Sequence, residues 1–354
     1  NLTGISGFPD TTSASDPATN TNPAGGVGTV WTNSTSGETY VCTDATTDAN
    51  VWTNVGAGTG DVQNLPFGGV GGGQSYGYSM GGQTPPKSNA IQKYSYSADG
   101  DSTDIANITI ARDHTGGTQS ATHGYTNCGA GTAPNQAAID KFQFSTGADA
   151  TTVGSATSGA GYPATMSSSD YGYISNGGGP HMGTIDKVSF ASDSNGTNVG
   201  TTALNKDNSA GTSSMTHGYE HGGGNTAPYN QIQKFSFSSD GNSSDIADLS
   251  VAPHAASGQT STTHGYSAGG ESPASAVIDK YSHSSDANAT NIGVLSTTNG
   301  YRAGTSSRTY GYVHGGYPPA GRNEINKWSF ASDGDATDIG NLVVGVHAAA
   351  GCHN

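Results

Sequence analysis

One short pattern of apolar and polar positions recurs along the chain. It reads isoleucine, a polar residue, lysine, an apolar residue, a polar residue and a ring, as in Ile232–Phe237. The pattern occurs six times at intervals of 46–48 residues, with lysines at Lys93, Lys141, Lys187, Lys234, Lys280 and Lys327. Side-chain direction alternates in a β-strand, so isoleucine and lysine fall on one face and the rings on the other. A fixed period of this size predicts one supersecondary unit, copied and stacked.

A second strand is predicted before each lysine pattern. It reads His or Tyr, then Gly-Tyr, and in four repeats it ends in a double glycine such as Gly222-Gly223. Its tyrosines are Tyr78, Tyr125, Tyr173, Tyr219, Tyr266 and Tyr312. A small-residue strand such as Ala303–Ser307 precedes it, and an Asp-rich turn leads from the lysine strand into a fourth strand. Four strands per repeat is the size of a propeller blade.

The order of these pieces resembles the kelch repeat over about 285 residues. The shared features are the double glycine that ends the second strand, the aromatic third strand and the return strand. The resemblance implies an all-β chain folded as a kelch-like β-propeller. The sequence departs from the kelch pattern because Ile or Val, as at Ile246, stands where the fourth strand carries Trp, and because the double glycine is blurred at Gly129–Gly131 and Gly177.

Six lysine patterns predict six blades within residues 68–354. The last residues, from His347, read as a first strand that completes the blade begun at Tyr76. In the alternative, the segment from Gly68 to Gln74 fills that place, and the terminal strand begins a seventh blade.

The N-terminal residues have a different organisation. Residues 1–26 are polar and rich in Gly, Pro and Thr, which predicts an extended arm or linker. Residues 27–57 carry two aromatic-bearing strands around a glycine turn, with a third strand possible, and predict a small β module. Residues 58–67 are predicted to link this module to the repeats.

The small module resembles short β modules of tail-fibre and other appendage proteins of tailed phages. The resemblance covers about 30 residues and rests on a Trp-x-Asn, a Gly-x-x-Tyr-Val-Cys-x-Asp-Ala and a Trp-x-x-Val segment, beginning at Trp31, Gly37 and Trp52. It implies a virion protein whose N-terminal part attaches to other virion proteins or trimerises.

Composition limits the partners. Charged residues make up 11% of the chain, against roughly 25% in ordinary soluble domains, and the net charge is −15. An acidic surface repels phosphate backbones and anionic lipids, and no apolar run is long enough to span a bilayer. Three distant cysteines do not form a disulfide framework.

The lysines and the Gly-Tyr tyrosines are predicted to be structural residues of the repeat. A packed lysine needs a partner for its ammonium. Five repeats carry an aspartate six residues after the lysine, and the second repeat has Gly147 there: Asp99, Asp193, Asp240, Asp286 and Asp333. We therefore predict a repeated lysine anchored to carboxylate or carbonyl oxygens.

No cofactor and no catalytic motif is predicted. The Asp-Gly-Asp turns at Asp99–Asp104 and Asp333–Asp338 are interpreted as plain turns, with a calcium site as the alternative, although the final Glu of an EF-hand loop is missing. His123, His217 and His264 fill the slot that holds Tyr76, Tyr171 and Tyr310 in the other repeats. Because tyrosine does not replace a zinc-bound imidazole, this slot is interpreted as an aromatic packing position.

Three functions are consistent with the sequence. The first is a structural and adhesive protein of a tailed-phage virion, with marine bacteria or cyanobacteria as hosts: a tail fibre, spike or capsid appendage that presents the propeller to a host-surface glycan or protein. The second is a bacterial surface adhesin or sheath protein, which requires an export signal before Asn1. The third is an extracellular carbohydrate-active enzyme, which requires carboxylates or Tyr and His side chains from several blades gathered at one face. The first is preferred, which places the protein on the virion surface and makes it no enzyme.

Overall fold

The structure is a computed structural model, and it describes residues 10–56, 75–131, 136–159, 161–175, 177–178, 183–317 and 321–354. The chain divides into two compact units, Asn1–Gln63 and Asn64–Asn354. All regular secondary structure in the described ranges is β-strand, so the all-β prediction is confirmed there. The same ranges contain no helix long and apolar enough to cross a membrane.

The first unit contains one four-stranded sheet in the order β1-β2-β3-β4. Its strands are β1 (Thr11–Ser13), β2 (Val30–Asn33), β3 (Thr39–Asp44) and β4 (Val51–Gly56). The pair β1 and β2 is parallel, whereas β2, β3 and β4 form an antiparallel meander. Residues 27–57 thus contain three strands, and Gly37 has the left-handed φ of +75° that its turn requires.

The segment predicted as an extended arm differs from that expectation from Asp10 onward. Strand β1 lies within it, and the Asp10 carboxylate accepts a hydrogen bond from the Val30 amide at 2.8 Å. The indoles of Trp31 and Trp52 donate to the carbonyls of Ser15 and Thr21. Tryptophan N–H groups seek an acceptor when they are partly buried, so the two indoles fasten this segment to the sheet. The predicted linker 58–67 lies outside the described residues.

The second unit contains six four-stranded sheets, which we number 1 to 6. Sheet 1 has the order β28-β5-β6-β7, and each later sheet has four consecutive strands. The strands of sheets 1 and 2 are β28 (Ala350–His353), β5 (Tyr76–Met80), β6 (Ala90–Ser95), β7 (Thr103–Asn107), β8 (Gly116–Gln119), β9 (His123–Asn127), β10 (Ala138–Gln143) and β11 (Thr151–Ser155). Sheets 3 and 4 comprise β12 (Ala164–Ser167), β13 (Tyr171–Ser175), β14 (Thr184–Ser189), β15 (Thr197–Thr201), β16 (Ala210–Ser213), β17 (His217–His221), β18 (Gln231–Ser236) and β19 (Ser244–Asp248). Sheets 5 and 6 comprise β20 (Ser257–Thr260), β21 (His264–Ala268), β22 (Val277–Ser282), β23 (Thr290–Val294), β24 (Ala303–Ser306), β25 (Tyr310–His314), β26 (Glu324–Ser329) and β27 (Thr337–Asn341).

The six sheets are arranged in a closed cycle. The first strands contact one another in the order β8, β12, β16, β20, β24 and β28, and β28 contacts β8 again. Within each sheet all pairings are antiparallel. The architecture is therefore propeller-like, with seven four-stranded sheets in the described chain once the sheet of the first unit is included.

The terminal strand joins the two ends of the second unit. Ala350 pairs with Met80 and Cys352 with Tyr78, so β28 supplies the first strand of the sheet that β5 begins. The segment Gly68–Gln74, which the alternative places there, lies outside the described residues. Cys352 is buried and unbridged, as are Cys42 and Cys128.

The core lies between neighbouring sheets. Each Gly-Tyr tyrosine is buried, and its ring packs on the ring that directly follows the third strand of the next sheet. The stacked pairs have centroid distances of 4.5–5.0 Å: Tyr78–Phe144, Tyr125–Phe190, Tyr173–Phe237, Tyr219–His283, Tyr266–Phe330 and Tyr312–Tyr96. The glycine before each tyrosine leaves room for a ring, since a Cβ at Gly311 would lie 2.4 Å from the Trp328 ring. The Gly-Tyr motif thus acts in packing between sheets.

Candidate functional site

The repeated lysines form ion pairs between sheets. In five sheets the ammonium contacts the aspartate of the following sheet: Lys141–Asp193, Lys187–Asp240, Lys234–Asp286, Lys280–Asp333 and Lys327–Asp99. The Nζ–Oδ2 distance between Lys187 and Asp240 is 3.0 Å, and both side chains are partly exposed. The aspartate six residues after each lysine in the same repeat is therefore not its partner. The turn that carries this aspartate contacts the lysine of the preceding sheet instead. Sheet 6 pairs with sheet 1, which continues the cycle across the chain ends.

Lys93 is the exception, whereas the spacing within one repeat, with Gly147 six residues after the lysine, places the exception at Lys141, which pairs with Asp193. The position opposite it in sheet 2 is Gly147, and among the described residues Lys93 has no carboxylate partner. Its Nζ lies 3.9 Å from the centroid of the Tyr76 ring instead, a cation–π contact.

The Asp-rich turns are also used in contacts between sheets. The side chain two residues after the turn aspartate, or after Gly147 in sheet 2, accepts a hydrogen bond from a backbone N–H in the fourth strand of the preceding sheet, at 2.8–3.0 Å: Asp101, Asp149, Asn195, Asn242, Asn288 and Asp335. Within the described ranges no group of three or more His, Cys, Asp and Glu side chains is placed to hold a metal ion.

One set of structural residues escaped the sequence analysis. The residue between isoleucine and lysine is at most 2% exposed in every repeat: Gln92, Asp140, Asp186, Gln233, Asp279 and Asn326. Each accepts a hydrogen bond from a backbone N–H that follows the fourth strand of the preceding sheet, at 2.7–3.1 Å. The sequence carries a signal for this set, because the position between isoleucine and lysine always holds a carboxylate or a carboxamide. A buried polar group of that kind needs a hydrogen-bond partner.

The His or Tyr slot lies beside the repeated lysine. Lys187 Nζ lies 4.1 Å from the Tyr171 ring centroid, and Lys327 Nζ lies 4.9 Å from that of Tyr310. The slot histidines His123, His217 and His264 each have Nδ1 2.8 Å from the hydroxyl of the preceding threonine. Burial and the neighbouring lysine lower their pKa values. These contacts are those of a packing position.

The first strands enclose a channel along the axis of the six sheets. Glycine or threonine faces it at the second position of every strand: Gly117, Thr165, Gly211, Gly258, Gly304 and Gly351. A Cβ at Gly258 would lie 2.2 Å from the Gly211 carbonyl oxygen, and one at Gly351 would lie 2.2 Å from that of Gly304. The small residues thus allow neighbouring backbones to touch, and they explain the small-residue strand.

A cycle of polar contacts surrounds one level of the channel. In five of the six steps the last residue of a first strand donates its N–H to the side chain of the equivalent residue in the next sheet, in the order Gln119, Ser167, Ser213, Thr260, Ser306 and His353. The sixth step is a side-chain contact of 3.5 Å between Gln119 Nε2 and His353 Nε2. Ser306 donates to His353 Nδ1, so this imidazole must be neutral at that nitrogen. Burial lowers the pKa of His353 to about 4, which keeps it neutral at physiological pH.

Six residues with left-handed backbone surround one end of the channel, which we call the mouth. They precede the six first strands and have φ values of 52–64°: His114, Tyr162, Asn208, Ala255, Tyr301 and Ala348. Five of the six neighbouring pairs are joined by backbone hydrogen bonds, for example from the Tyr162 amide to the His114 carbonyl at 3.0 Å and from the His114 amide to the Ala348 carbonyl at 2.7 Å. Left-handed backbone costs about 1–2 kcal/mol for a residue with a Cβ, and these hydrogen bonds hold it in place.

The six repeats differ in chemistry at the mouth. His114, Tyr162 and Tyr301 cluster there, with ring centroids of His114 and Tyr162 3.8 Å apart and those of Tyr162 and Tyr301 6.3 Å apart. All three rings are partly exposed, and they line a cavity of about 150 Å³ that continues into the channel. The remaining three mouth positions carry the smaller side chains of Asn208, Ala255 and Ala348.

Carboxylates from three sheets border the aromatic cluster. Asp113 Oδ1 lies 2.9 Å from Lys87 Nζ and 3.1 Å from His114 Nδ1, and these partners lower its pKa against the effect of burial. Asp207 Oδ1 lies 3.5 Å from His254 Nε2. A Cβ built on Gly178 would lie 3.0 Å from Asp207 Oδ2 and 3.5 Å from the Tyr162 ring, so this carboxylate and this ring are neighbours.

The tyrosine hydroxyls respond to these carboxylates. Burial raises the pKa of Tyr301 to about 12, and Glu271, Tyr162 and Asp207 add to the rise. Burial also raises the pKa of Tyr162, with Asp113 and Asp207 adding to it. Both tyrosines are therefore neutral hydrogen-bond donors at any physiological pH, within reach of carboxylate charge.

Comparison with known proteins adds no family assignment to these observations. No protein-family model matches the chain, and a search of curated proteins found no match.

Proposed function

We propose that the second unit is a six-bladed, kelch-like β-propeller that works as a binding module. Three kinds of contact support six blades: the stacked tyrosines, the lysine pairs and the buried residues between isoleucine and lysine all run from sheet 6 to sheet 1. The contact of sheet 6 with sheet 1 favours six blades over the seven-bladed alternative.

The observation that carries the binding role is the contrast between the repeated residues and the mouth. The repeated lysines, tyrosines and turn carboxylates are occupied in contacts between sheets, with Lys93 on Tyr76. The aromatic rings of His114, Tyr162 and Tyr301 are not repeated, are partly exposed and border a cavity. Concave sites with a few aromatic and polar groups are the usual binding sites of proteins.

We assign this module to an adhesive structural protein on the surface of a tailed-phage virion. Support comes from the likeness of the Trp31–Val55 segment to phage appendage modules and from the separation of the chain into two compact units. In this proposal the first unit attaches to other virion proteins, with a homotrimer as one arrangement, and the propeller faces the host. A secreted surface adhesin remains the alternative.

A carbohydrate-active enzyme is the second candidate, because carboxylates of three sheets meet His and Tyr at one face. Glycoside cleavage needs two carboxyl groups in distinct protonation states flanking the bond. Asp113 is held ionised by Lys87 and His114, which leaves Asp207 and Glu271 for such a pair. Reducing ends released from an oligosaccharide that the protein binds would favour the enzyme, and an intact oligosaccharide favours the adhesin.

The virion assignment is tested by fractionating the source lysate. Antibodies against the full chain should label particles in a density gradient, and immunogold electron microscopy should place the label on tails or capsids. Label on cell envelopes, or only in the soluble fraction, would overturn the virion assignment and favour the surface adhesin.

A further inference from the structure

The side chains at the mouth indicate what kind of ligand it takes. Tyr162 and Tyr301 extend from opposite positions among the six mouth residues, and their ring planes are inclined at 56°. Aromatic faces present apolar surface with partial negative charge, which attracts the slightly positive C–H groups of a ligand. Asp207 and Glu271 border the same cluster. Asp207 Oδ2 and the Tyr162 ring both lie within 3.5 Å of the Cβ position of Gly178, and Glu271 Cβ lies 2.8 Å from that of Gly300, the neighbour of Tyr301.

A ligand that combines apolar C–H faces with hydroxyl donors satisfies both features. A pyranose ring has this chemistry, because its axial C–H groups form an apolar patch and its hydroxyls form an equatorial rim. Hydrogen bonds from a hydroxyl to a carboxylate are about twice as strong as those between neutral groups. The cavity of about 150 Å³ matches the volume that holds one six-membered ring in an engineered protein cavity.

Two other classes of ligand fit less well. An anionic ligand would meet Asp113, Asp207 and Glu271, and the nearby cations are engaged. Lys87 pairs with Asp113 at 2.9 Å, and Arg302, which lines the cavity, is buried and donates to Asn299 and Thr297. A quaternary ammonium ion needs a gap between aromatic walls. The centroids of His114 and Tyr162 are 3.8 Å apart, so these two rings pack against each other and leave no such gap.

We infer that the mouth binds one uncharged pyranose unit of a glycan, with Tyr162 and Tyr301 against its C–H face and with Asp207 and Glu271 accepting hydrogen bonds from its hydroxyls. The inference rests on the proposed binding role and names its ligand class. A single sugar has no six-fold symmetry, so a site for one sugar unit explains why the mouth side chains differ among the six repeats.

The test uses the full chain on an array of immobilised glycans. The array carries uncharged hexose and N-acetylhexosamine oligosaccharides, sialylated and sulfated versions of the same oligosaccharides, and trimethylammonium groups. The strongest uncharged ligand is then titrated by calorimetry into wild-type protein and into Tyr301→Ala and Asp207→Asn. Tyr40→Ala in the first unit and Asp170→Asn in the exposed turn between β12 and β13 are the matched controls.

Uncharged glycans should bind, and their sialylated and sulfated versions should bind more weakly. Loss of one aromatic face should weaken binding about tenfold, and Asp207→Asn should weaken it about fivefold because a charge-assisted bond becomes a neutral one. The controls should bind like wild type. Asp207→Asn conserves shape, so it remains informative if Tyr301→Ala misfolds.

Three results would overturn the inference. They are tighter binding of the anionic glycans or of trimethylammonium, equal affinities for the mouth variants and their controls, and no glycan bound by a protein that still binds bacterial cells. The last result leaves the proposed adhesive function standing, with a protein receptor in place of the sugar. Glycan binding by a protein that never labels virions would support the inference and overturn the virion assignment.

Discussion

The break in the lysine–aspartate series can be repaired by one substitution. Gly147 occupies the position that holds aspartate in the five other sheets, and it has a φ of +59°. Aspartates at the equivalent positions tolerate this backbone, with φ of 42° at Asp193, 53° at Asp240 and 52° at Asp333. A Cβ at Gly147 would have no neighbour closer than 3.9 Å. We therefore expect Gly147→Asp to fold and to form a pair with Lys93.

The gain follows from the equivalent pairs. Lys187 and Asp240 are 3.0 Å apart with side chains 18% and 32% exposed, and Lys187 keeps its contact with Tyr171 while it makes this pair. Exposed pairs contribute about 0.2–1 kcal/mol, and partial burial places the new pair at the upper end, about 1 kcal/mol. For a unit of this size that gain corresponds to roughly 2 °C in Tm.

The comparison that isolates the pair is Gly147→Asp against Gly147→Asn, because both side chains tolerate left-handed backbone and only one is charged. Urea unfolding measures the difference without adding salt. We expect Gly147→Asp to be more stable by about 1 kcal/mol at low ionic strength, with most of the difference lost in 1 M NaCl through screening. Equal stabilities, or a difference that also persists in the Lys93→Met background, would refute the pairing rule.

Three further predictions test other parts of the structure. Unfolded histidine titrates near pH 6.5 and His353 near 4, so the unfolded state binds more protons between these values. Stability should therefore fall as pH drops through this window, by roughly 3 kcal/mol for this residue, and urea unfolding at pH 7.5 and 4 should show a smaller loss for His353→Asn than for wild type. Gly258→Ala should cost about 1–3 kcal/mol of folding stability, because the new Cβ would lie 2.2 Å from a carbonyl oxygen. Gly196→Ala, whose Cβ would have no atom closer than 3.4 Å, should cost less in the same thermal melt. Deletion of residues 350–354 removes the first strand of sheet 1, and hydrogen exchange should then show lost protection in β5, while retained protection would contradict closure by β28.

The sequence predicted the elements of the second unit because each strand carries a periodic signal. The repeat spacing and the double glycines gave the four strands and the coarse propeller-like architecture. Partner identity was harder to predict. Asp99 is six residues from Lys93, yet it pairs with Lys327 at the other end of the chain. Spacing within one repeat cannot distinguish an aspartate of the same sheet from one of the next, since both positions recur with the same period.

The mouth carries no repeated signal, and for that reason sequence analysis missed it. The six equivalent positions hold His, Tyr, Asn, Ala, Tyr and Ala, and a motif search looks for sameness. Alignment of the repeats would have shown a variable position two residues before each small-residue strand. Only the closed cycle of sheets brings Tyr162 and Tyr301, 139 positions apart in the sequence, to within 6.3 Å.

The most direct test of the binding role is a cell-binding measurement with the full chain. Fluorescently labelled wild-type protein, the double variant Tyr162→Ala/Tyr301→Ala and the Tyr40→Ala control would be incubated with bacteria from the source environment and counted by flow cytometry. If the mouth is the binding surface, wild-type protein and the control label a bacterial strain, and the double variant, shown to be folded by circular dichroism, loses that labelling. Equal labelling by the folded double variant would contradict the account and move the binding surface away from the mouth.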